Sequence, residues 1–226
     1  MNLIELTWSW LSDPEQWSGS AGIPMRILEH LEYSGLTMLI AVVLAVPLGA
    51  AIGHTGRGAA AVIGAAGALR ALPTLGLLTL FSLLMGLGLV PPLLALVILA
   101  VPPILSAACV GVAEVSPRVR DAVIAQGMTP WQVLTRVELP LAVPMIMGGV
   151  RHAALQVIST TTVAAYINLG GLGRYLIDGL AVRDYGRMLG SVLLVAVLAL
   201  LVDALLSLLQ RGLTSPGIRR PEGGTP

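Results

Sequence analysis

Charged residues are absent from two long stretches of this sequence, residues 36–53 and residues 71–113. A helix crosses the roughly 30 Å hydrocarbon layer of a membrane with about 20 residues, so the first stretch fits one crossing and the second is long enough for two. Only 11% of the chain is charged, against about 25% in an average soluble domain. The sequence therefore predicts a polytopic helical membrane protein and excludes a soluble or disordered chain.

Breaks in these apolar stretches divide the chain into five predicted transmembrane spans. Span one covers residues 36–53. Spans two and three together cover residues 59–113 and are joined by a tight turn at the glycines and prolines of residues 86–92. Span four covers residues 141–169, and span five covers residues 188–210. The predicted fold class is therefore all-α, with five core helices.

The regions outside the spans differ in character. Residues 1–32 carry several acids with tryptophans between them, which is typical of a segment that lies at the membrane interface outside the cell, where indole rings prefer the headgroup level. The transmembrane domain is predicted to cover residues 33–211 and to contain the longest charged segment between spans, residues 114–140. Residues 212–226 form a tail rich in Pro and Gly.

The distribution of arginine predicts the orientation. With the N-terminus outside, the inner segments carry Arg57, Arg118, Arg120, Arg136, Arg211, Arg219 and Arg220, and the outer segments carry Arg26, Arg174, Arg183 and Arg187. This excess has the sign expected from the positive-inside rule. Residues 114–140 and the C-terminus are therefore predicted to be cytoplasmic.

The absence of lysine limits the chemistry, since all 13 basic residues are arginine. A Walker A phosphate loop needs a lysine and a Schiff-base enzyme needs an amine, so neither ATP hydrolysis nor pyridoxal chemistry is expected of this chain. The net charge of +1 gives no basic surface for nucleic acid. His152 has no second ligand at a metal-binding spacing, and the single Cys109 lies in an apolar run that favours a small buried side chain.

The cytoplasmic segment is predicted to form two short helices joined by a turn. Ser116 and Pro117 suit the cap and the first position of one helix, and Gly127 suits its left-handed end. Thr129 and the proline after it can begin a second helix, and Pro140 marks the return of the chain to the membrane. A short helix that projects from the bilayer is suited to enter a cleft on another protein.

The same segment carries a spaced motif, Asp121-Ala122-Val123, then Gly127, then Val137-Glu138-Leu139-Pro140. It resembles the EAA motif of the membrane subunits of ABC importers, which is E-A-A, three residues, G, nine residues and I-x-L-P. Asp121 stands for the Glu, Val123 for the second Ala and Val137 for the Ile. Ala122, Gly127, Leu139 and Pro140 match the motif.

Three further stretches are similar to the permeases of betaine, choline and carnitine importers. They are residues 69–75, residues 160–173 and residues 198–203. The order of the elements agrees too, with a coupling loop between the third and fourth spans and a glycine-rich turn after the fourth. The sequence departs from these relatives at Asn168-Leu169, where a small Gly-Ala pair is usual, so the shape of that turn is open.

This resemblance implies a fold of the five-helix MetI-like permease type and a location in the bacterial cytoplasmic membrane. It implies a transport subunit, not an enzyme, whose motif residues dock on a separate ABC ATPase that holds ATP and Mg²⁺. The chain itself is expected to bind no cofactor and no metal. Its other expected partners are a second permease, identical or related, an extracytoplasmic substrate-binding protein that meets the turn at Gly170, Gly171 and Gly173, and the lipid bilayer.

Several polar residues inside the spans have two interpretations. Arg70 and Pro73 shape the pathway or its inner gate, or else Arg70 is a structural arginine. The hydroxyls of Thr160, Thr161 and Thr162 line a cavity, or else they bond to helix carbonyls. Arg151 and His152 pair with acids such as Asp203 or line a vestibule, and pairing is the favoured alternative.

The solute is less constrained than the transporter class. The favoured solute is a small osmoprotectant such as glycine betaine, choline or carnitine. Methionine importers share the short five-span core, so methionine or another small solute is the alternative. An ion-driven carrier is a further alternative, but the chain shows neither a clear internal repeat nor acids placed at the membrane midplane.

Overall fold

A computed structural model of the chain describes residues 2–167 and 169–214, apart from the side chain of Arg70. Its α-helices are α1 (Leu3–Ser12), α2 (Ile23–Thr55), α3 (Ala59–Arg70), α4 (Thr74–Met85), α5 (Val90–Ala113), α6 (Pro117–Ala125), α7 (Pro130–Val133), α8 (Leu139–Ala164), α9 (Gly173–Val182) and α10 (Tyr185–Leu213). A π-helical turn, Leu134–Glu138, joins α7 to α8, and short 3₁₀ turns follow α1 and α8. No strand occurs in these ranges, which confirms the all-α prediction.

The number of helices that could cross a membrane agrees with the prediction. Four helical runs are long and apolar enough, namely α2, α5, the run Pro130–Ile167 and α10. The pair α3 and α4 passes the same test together and is bent by 86° at its break, which gives five if the pair counts as one span. The break falls where the sequence placed Arg70 and Pro73. The tight turn after α4 is present, with positive φ at Gly86 and Gly88.

Two boundaries differ from the prediction. α2 begins at Ile23, well before residue 36, because its charged first turns find partners within the protein, as the contacts of Glu29 show below. Pro140 does not mark a turn: the helix runs without interruption from Pro130 to Ile167. Proline lacks an N–H and crowds the preceding turn, and the wider π-helical turn just before Pro140 accommodates it within the helix. The prediction for Pro140 was wrong.

α5 is the central helix, and its packing against α2 is the most extensive in the bundle. One side of α2 presents a buried row of small residues at a spacing of four, Ala41, Ala45, Gly49 and Gly53. A Cβ atom on Gly49 would lie 2.5 Å from the carbonyl oxygen of Leu105. The two backbones therefore approach closely, as is common for helices inside a membrane. Cys109 is buried in this contact, as predicted.

The N-terminal helix α1 packs along the first half of α10. The ring of Trp10 covers Gly190, where no Cβ could be accommodated. Trp10 also meets Tyr175 of α9 edge to face, with 5.1 Å between ring centroids. Trp8 and Trp17 remain exposed. α1 is thus tied to the helical bundle through Trp10, through Leu11 and through the close approach of Leu6 to Gly186 of α10.

Candidate functional site

The segment between α5 and α8 contains one separate short helix, α6, whereas the second predicted helix, α7, continues into α8. Pro117 is the first residue of α6, and Gly127 ends it with a φ of +88°. Ser116 occupies the cap position, but its side chain makes no capping bond. Thr129 caps α7 and forms a reciprocal capping box with Gln132. The turn at Gly127 needs a left-handed backbone that glycine adopts at little cost.

Residues 117–131, here called the loop surface, expose apolar side chains. Ile124 is 55% exposed and Trp131 is 71% exposed. Among the motif residues, the exposed ones are Asp121, Ala122, Gly127 and Pro140, and the half-buried ones are Val123, Val137 and Leu139. Exposed apolar side chains rimmed by charges are typical of a surface that binds another protein.

A buried carboxylate fastens this segment to the membrane helices. Glu138 is 1% exposed. His54 Nδ1, at the end of α2, lies 2.6 Å from Glu138 Oε2. Arg120 Nε, on α6, lies 2.6 Å from Glu138 Oε1. Arg120 Nη2 also donates to the carbonyl oxygen of Val112 near the end of α5, at 2.6 Å. We call Glu138, Arg120 and His54 the Glu138 cluster; it ties α6 to α2, α5 and the start of α8.

The sequence did not single out the Glu138 cluster. Glu138 occupies the variable position of the I-x-L-P part of the motif, and the sequence identifies Arg120 only as one of the cytoplasmic arginines. Charged residues are rarely buried unless they are paired. The missed signal was an acid, Glu138, next to the predicted start of a span and followed by apolar residues.

At the opposite end of the bundle, the glycine turn packs against the start of α2. Glu29 Oε2 accepts a hydrogen bond from the backbone N–H of Gly171 at 2.7 Å and lies 2.9 Å from Arg26 Nη1. A Cβ on Gly170 would collide with Glu29, and one on Gly173 would collide with the backbone of Thr162. Close packing against backbone therefore requires glycine at position 173, and a φ of +80° favours it at Gly171, whereas Gly170 faces the movable end of the Glu29 side chain. Asn168 lies outside the described residues.

Tyr175 makes two further contacts at this end of the bundle. Tyr175, on α9, donates a hydrogen bond to the carbonyl oxygen of Ala21 at 2.6 Å. The guanidinium of Arg187 lies 5.3 Å from the centre of the Tyr175 ring. Burial raises the pKa of Tyr175, and the nearby positive charges of Arg26 and Arg187 act in the opposite direction. These contacts hold α9 against the first turns of α2 and α10.

The predicted pathway residues of α8 are bonded within their own helix. The hydroxyls of Thr160, Thr161 and Thr162 donate to the carbonyl oxygens of Gln156, Val157 and Ser159, respectively. Thr161 is buried. Pro73 is exposed and caps α4, and the side chain of Arg70 lies outside the described residues. The donors of the three hydroxyls are therefore used inside the helix.

The predicted pairing of Arg151 is confirmed. Its Nε and Nη2 atoms donate to the two carboxylate oxygens of Asp203, both at 2.8 Å. Arg151 Nη1 also donates to Gln210, whose amide donates in turn to the carbonyl oxygen of Pro144. This network joins α8 to α10 where α10 has few other polar contacts. His152 does not take part in it and is exposed. Within the described residues, no three His, Cys, Asp or Glu side chains are grouped as a metal site would require.

The sequence matches known protein families over most of its length. Residues 41–215 match the family model described as "Binding-protein-dependent transport system inner membrane component". The chain is 36% identical to the glycine betaine/carnitine/choline transport system permease protein OpuCB of Bacillus subtilis, over 84% of this chain and 88% of the relative. It is also 36% identical to the osmoprotectant import permease protein OsmW of Salmonella typhimurium, over 84% of this chain and 91% of that protein.

A solved structure shares the fold. It is described as "Inward facing conformations of the MetNI methionine ABC transporter", and the superposition has a TM-score of 0.74 over 90% of this chain and 100% of the matched chain. The sequence identity is 20%, so the similarity concerns the fold. It confirms the MetI-like arrangement of helices.

Proposed function

The chain belongs to the inner-membrane components of binding-protein-dependent transport systems, and we propose that it forms the translocation pathway for a small osmoprotectant such as glycine betaine, choline or carnitine. As a permease subunit of an ABC importer it is not an enzyme, and ATP is hydrolysed by a separate subunit. The choice of solute rests on the relatives, which are described as permeases for osmoprotectants. OpuCB (glycine betaine, carnitine and choline) and OpuBB (choline) of Bacillus subtilis match this chain over 88% and 90% of their lengths.

The loop surface is the proposed docking site for the ATPase. On this surface, Ile124 is exposed on α6, the helix that carries Asp121, and Trp131 is exposed at the start of α7. The Glu138 cluster would transmit a displacement of α6 to α2, α5 and α8, because these elements share one buried carboxylate. Two permeases, identical or related, would enclose the pathway, and the loop surface and the C-terminus would face the cytoplasm, as the arginine distribution indicates.

A binding protein would approach the opposite end of the bundle. The glycine turn itself is packed against α2 and offers little surface. The neighbouring end of α9 exposes Leu180 and Val182. These side chains, next to the charged start of α10, form the proposed contact with the binding protein.

The substitution Ala122→Asp tests the docking surface. Ala122 is exposed on α6, so the change leaves the packing of the bundle intact but places a buried charge in the contact with the ATPase, which is costly when unpaired. We expect copurification of the ATPase in mild detergent and ATP-driven uptake to fall by about tenfold or more, the effect of a few kcal/mol on binding. Ala181→Asp, also exposed but on α9, is the matched control for copurification alone and is expected to retain the ATPase; its uptake is not compared, because Ala181 lies between Leu180 and Val182 of the proposed binding-protein contact. Equal copurification of both variants would place the docking surface elsewhere.

The solute is tested by uptake into proteoliposomes that contain the full transporter and its binding protein. We expect ATP-dependent accumulation of labelled glycine betaine, choline or carnitine, and none of labelled methionine. Accumulation of methionine alone would replace the osmoprotectant assignment with the alternative solute. Accumulation that persists without ATP but needs an ion gradient would identify an ion-driven carrier.

A further inference from the structure

One exposed side of α8 carries polar residues through the depth of the bundle. Met145, His152 and Ser159 recur at heptad spacing on α8, and each is exposed; since this spacing is close to two turns of a helix, they lie on one side of it. Tyr166, in the short 3₁₀ turn Ala165–Ile167 that follows α8, is also exposed. Gly148 is exposed on the same side. We call these five residues the α8 stripe; His152 lies near the middle of α8.

The exposed side of α10 has a different composition. Between Leu189 and Leu209 every exposed residue is aliphatic. They are Leu189, Val192, Leu193, Ala196, Val197, Leu200, Leu201, Ala204, Leu205, Leu208 and Leu209. The exposed residues in the middle of α2 are likewise apolar, namely Leu39, Val43, Leu44, Pro47 and Leu48. These are the surfaces expected against lipid tails.

An exposed imidazole in the middle of a transmembrane helix does not fit contact with lipid. A polar group in hydrocarbon without a partner costs several kcal/mol, and ionisable residues at this depth face a bundle interior or a water-filled cavity. His152 forms none of the hydrogen bonds or ion pairs of the described residues, unlike its neighbour Arg151. The hydroxyl of Ser159 donates to the carbonyl oxygen of Leu155, yet its lone pairs remain free to accept.

We propose that the α8 stripe lines the water-filled translocation pathway, facing the second permease, and that His152, Ser159 and Tyr166 are the side chains that meet the solute. This inference rests on the proposed function as a permease. The stripe contains no Asp, Glu or Arg, so it lacks the fixed charge that would hold an ion tightly. Its chemistry suits a small zwitterion or quaternary ammonium, which the ring of Tyr166 attracts weakly through its π-face and which neutral polar groups allow to leave.

The stripe also replaces the threonines as the pathway candidates on α8. The three threonine hydroxyls donate within the helix, as that of Ser159 does, but no threonine is exposed: Thr161 is buried, and Thr160 and Thr162 are half-buried. Met145, at one end of the stripe, lies beside Gly111 of α5, whereas His152 and Ser159 remain exposed although α2, α5 and α10 pack against α8. Exposure, and not hydroxyl content alone, therefore identifies the side of α8 that is free to face the pathway.

Cysteine labelling of the complete transporter in permeabilised membranes tests the stripe. The single native cysteine is buried, so Cys109→Ala provides a background without reactive thiols. On it, His152→Cys, Ser159→Cys and, as a control on the exposed side of α10 at a similar depth, Val197→Cys are treated with a trimethylammonium methanethiosulfonate. A thiol reacts as the thiolate, which forms in water and is suppressed in an apolar surrounding, so we expect both stripe positions to react at least about tenfold faster than Val197→Cys. Excess glycine betaine with binding protein and ATP is expected to slow the reaction at the stripe.

The outcomes separate this inference from the choice of solute. Stripe cysteines that react as slowly as Val197→Cys, in a transporter that still accumulates solute, overturn the inference. Rapid labelling at His152→Cys and Ser159→Cys, together with a transporter of unmodified sequence that does not accumulate glycine betaine, supports the pathway and rejects that solute. Ser159→Cys replaces one oxygen by sulfur and is expected to assemble. Its labelling alone therefore tests the stripe if His152→Cys fails to assemble.

Discussion

Replacing Glu138 by glutamine is expected to lower the free energy of unfolding by about 3 kcal/mol, the usual cost of removing one partner from a buried ion pair. The amide keeps the size of this buried side chain but leaves Arg120 without its counter-charge and removes a carboxylate oxygen from His54. The loss is measured from the denaturation midpoint of the protein in detergent, followed by tryptophan fluorescence, which includes the signal of Trp131 on the loop surface.

Glu114→Gln provides the matched control for this change. Glu114 is exposed at the end of α5 and forms none of the ion pairs found in the described part of the chain. Its replacement is expected to change the free energy of unfolding by less than about 0.5 kcal/mol, as for most surface changes. If the two variants unfold at the same midpoint, the Glu138 cluster does not hold the loop, and the proposed transmission from α6 to α2 has no basis in this carboxylate.

The same variant separates docking from transmission. The loop surface does not include Glu138, so Glu138→Gln is expected to retain the ATPase in copurification while solute uptake per ATP hydrolysed falls. Ala122→Asp is expected to lose both together. A variant of Glu138 that loses the ATPase instead would show that the buried cluster shapes the docking surface itself.

Charge patterning was enough to predict much of this fold. Charge-free stretches limited by glycine and proline gave the number and order of the spans, because lipid excludes unpaired charges. The loop was predictable because its capping residues act locally: Pro117, Gly127 and Thr129 fix helix ends through their own backbone preferences. The start of α2 was not predictable, since Arg26 and Glu29 are tolerated there only through contacts with a turn distant in sequence.

The Glu138 cluster and the α8 stripe were hidden for the same reason. Burial of Glu138 depends on the meeting of α2, α6 and α8, which no local pattern records. The stripe depends on which side of α8 the other helices leave open. The threonines of α8 were more conspicuous in the sequence, but they are buried or half-buried. By contrast, the Arg151–Asp203 pair was predictable, because charged residues of opposite sign inside neighbouring spans have few partners other than each other.

Replacing Gly49 by alanine is expected to lower the free energy of unfolding by about 1–3 kcal/mol, the usual effect of overpacking a tight core. The added methyl group would lie 2.5 Å from the carbonyl oxygen of Leu105 and 2.8 Å from Cβ of Ala108, so α2 must move away from α5. These helices form the most extensive contact of the bundle, and their separation also withdraws His54 from Glu138. Denaturation of the variant in detergent, compared with the unmodified protein, measures the loss.

The same substitution at Gly35 is expected to act in the opposite direction. Gly35 lies on the same helix, but no atom is within 4 Å of the position that a Cβ would occupy. Alanine is favoured over glycine inside a helix by up to about 1 kcal/mol, so Gly35→Ala should be neutral or stabilising. The difference in sign between two identical changes on one helix isolates the close approach of α2 and α5 from helix propensity. Equal effects at both positions would mean that α2 and α5 are not in backbone contact, and the row Ala41, Ala45, Gly49 and Gly53 would then lose its structural explanation.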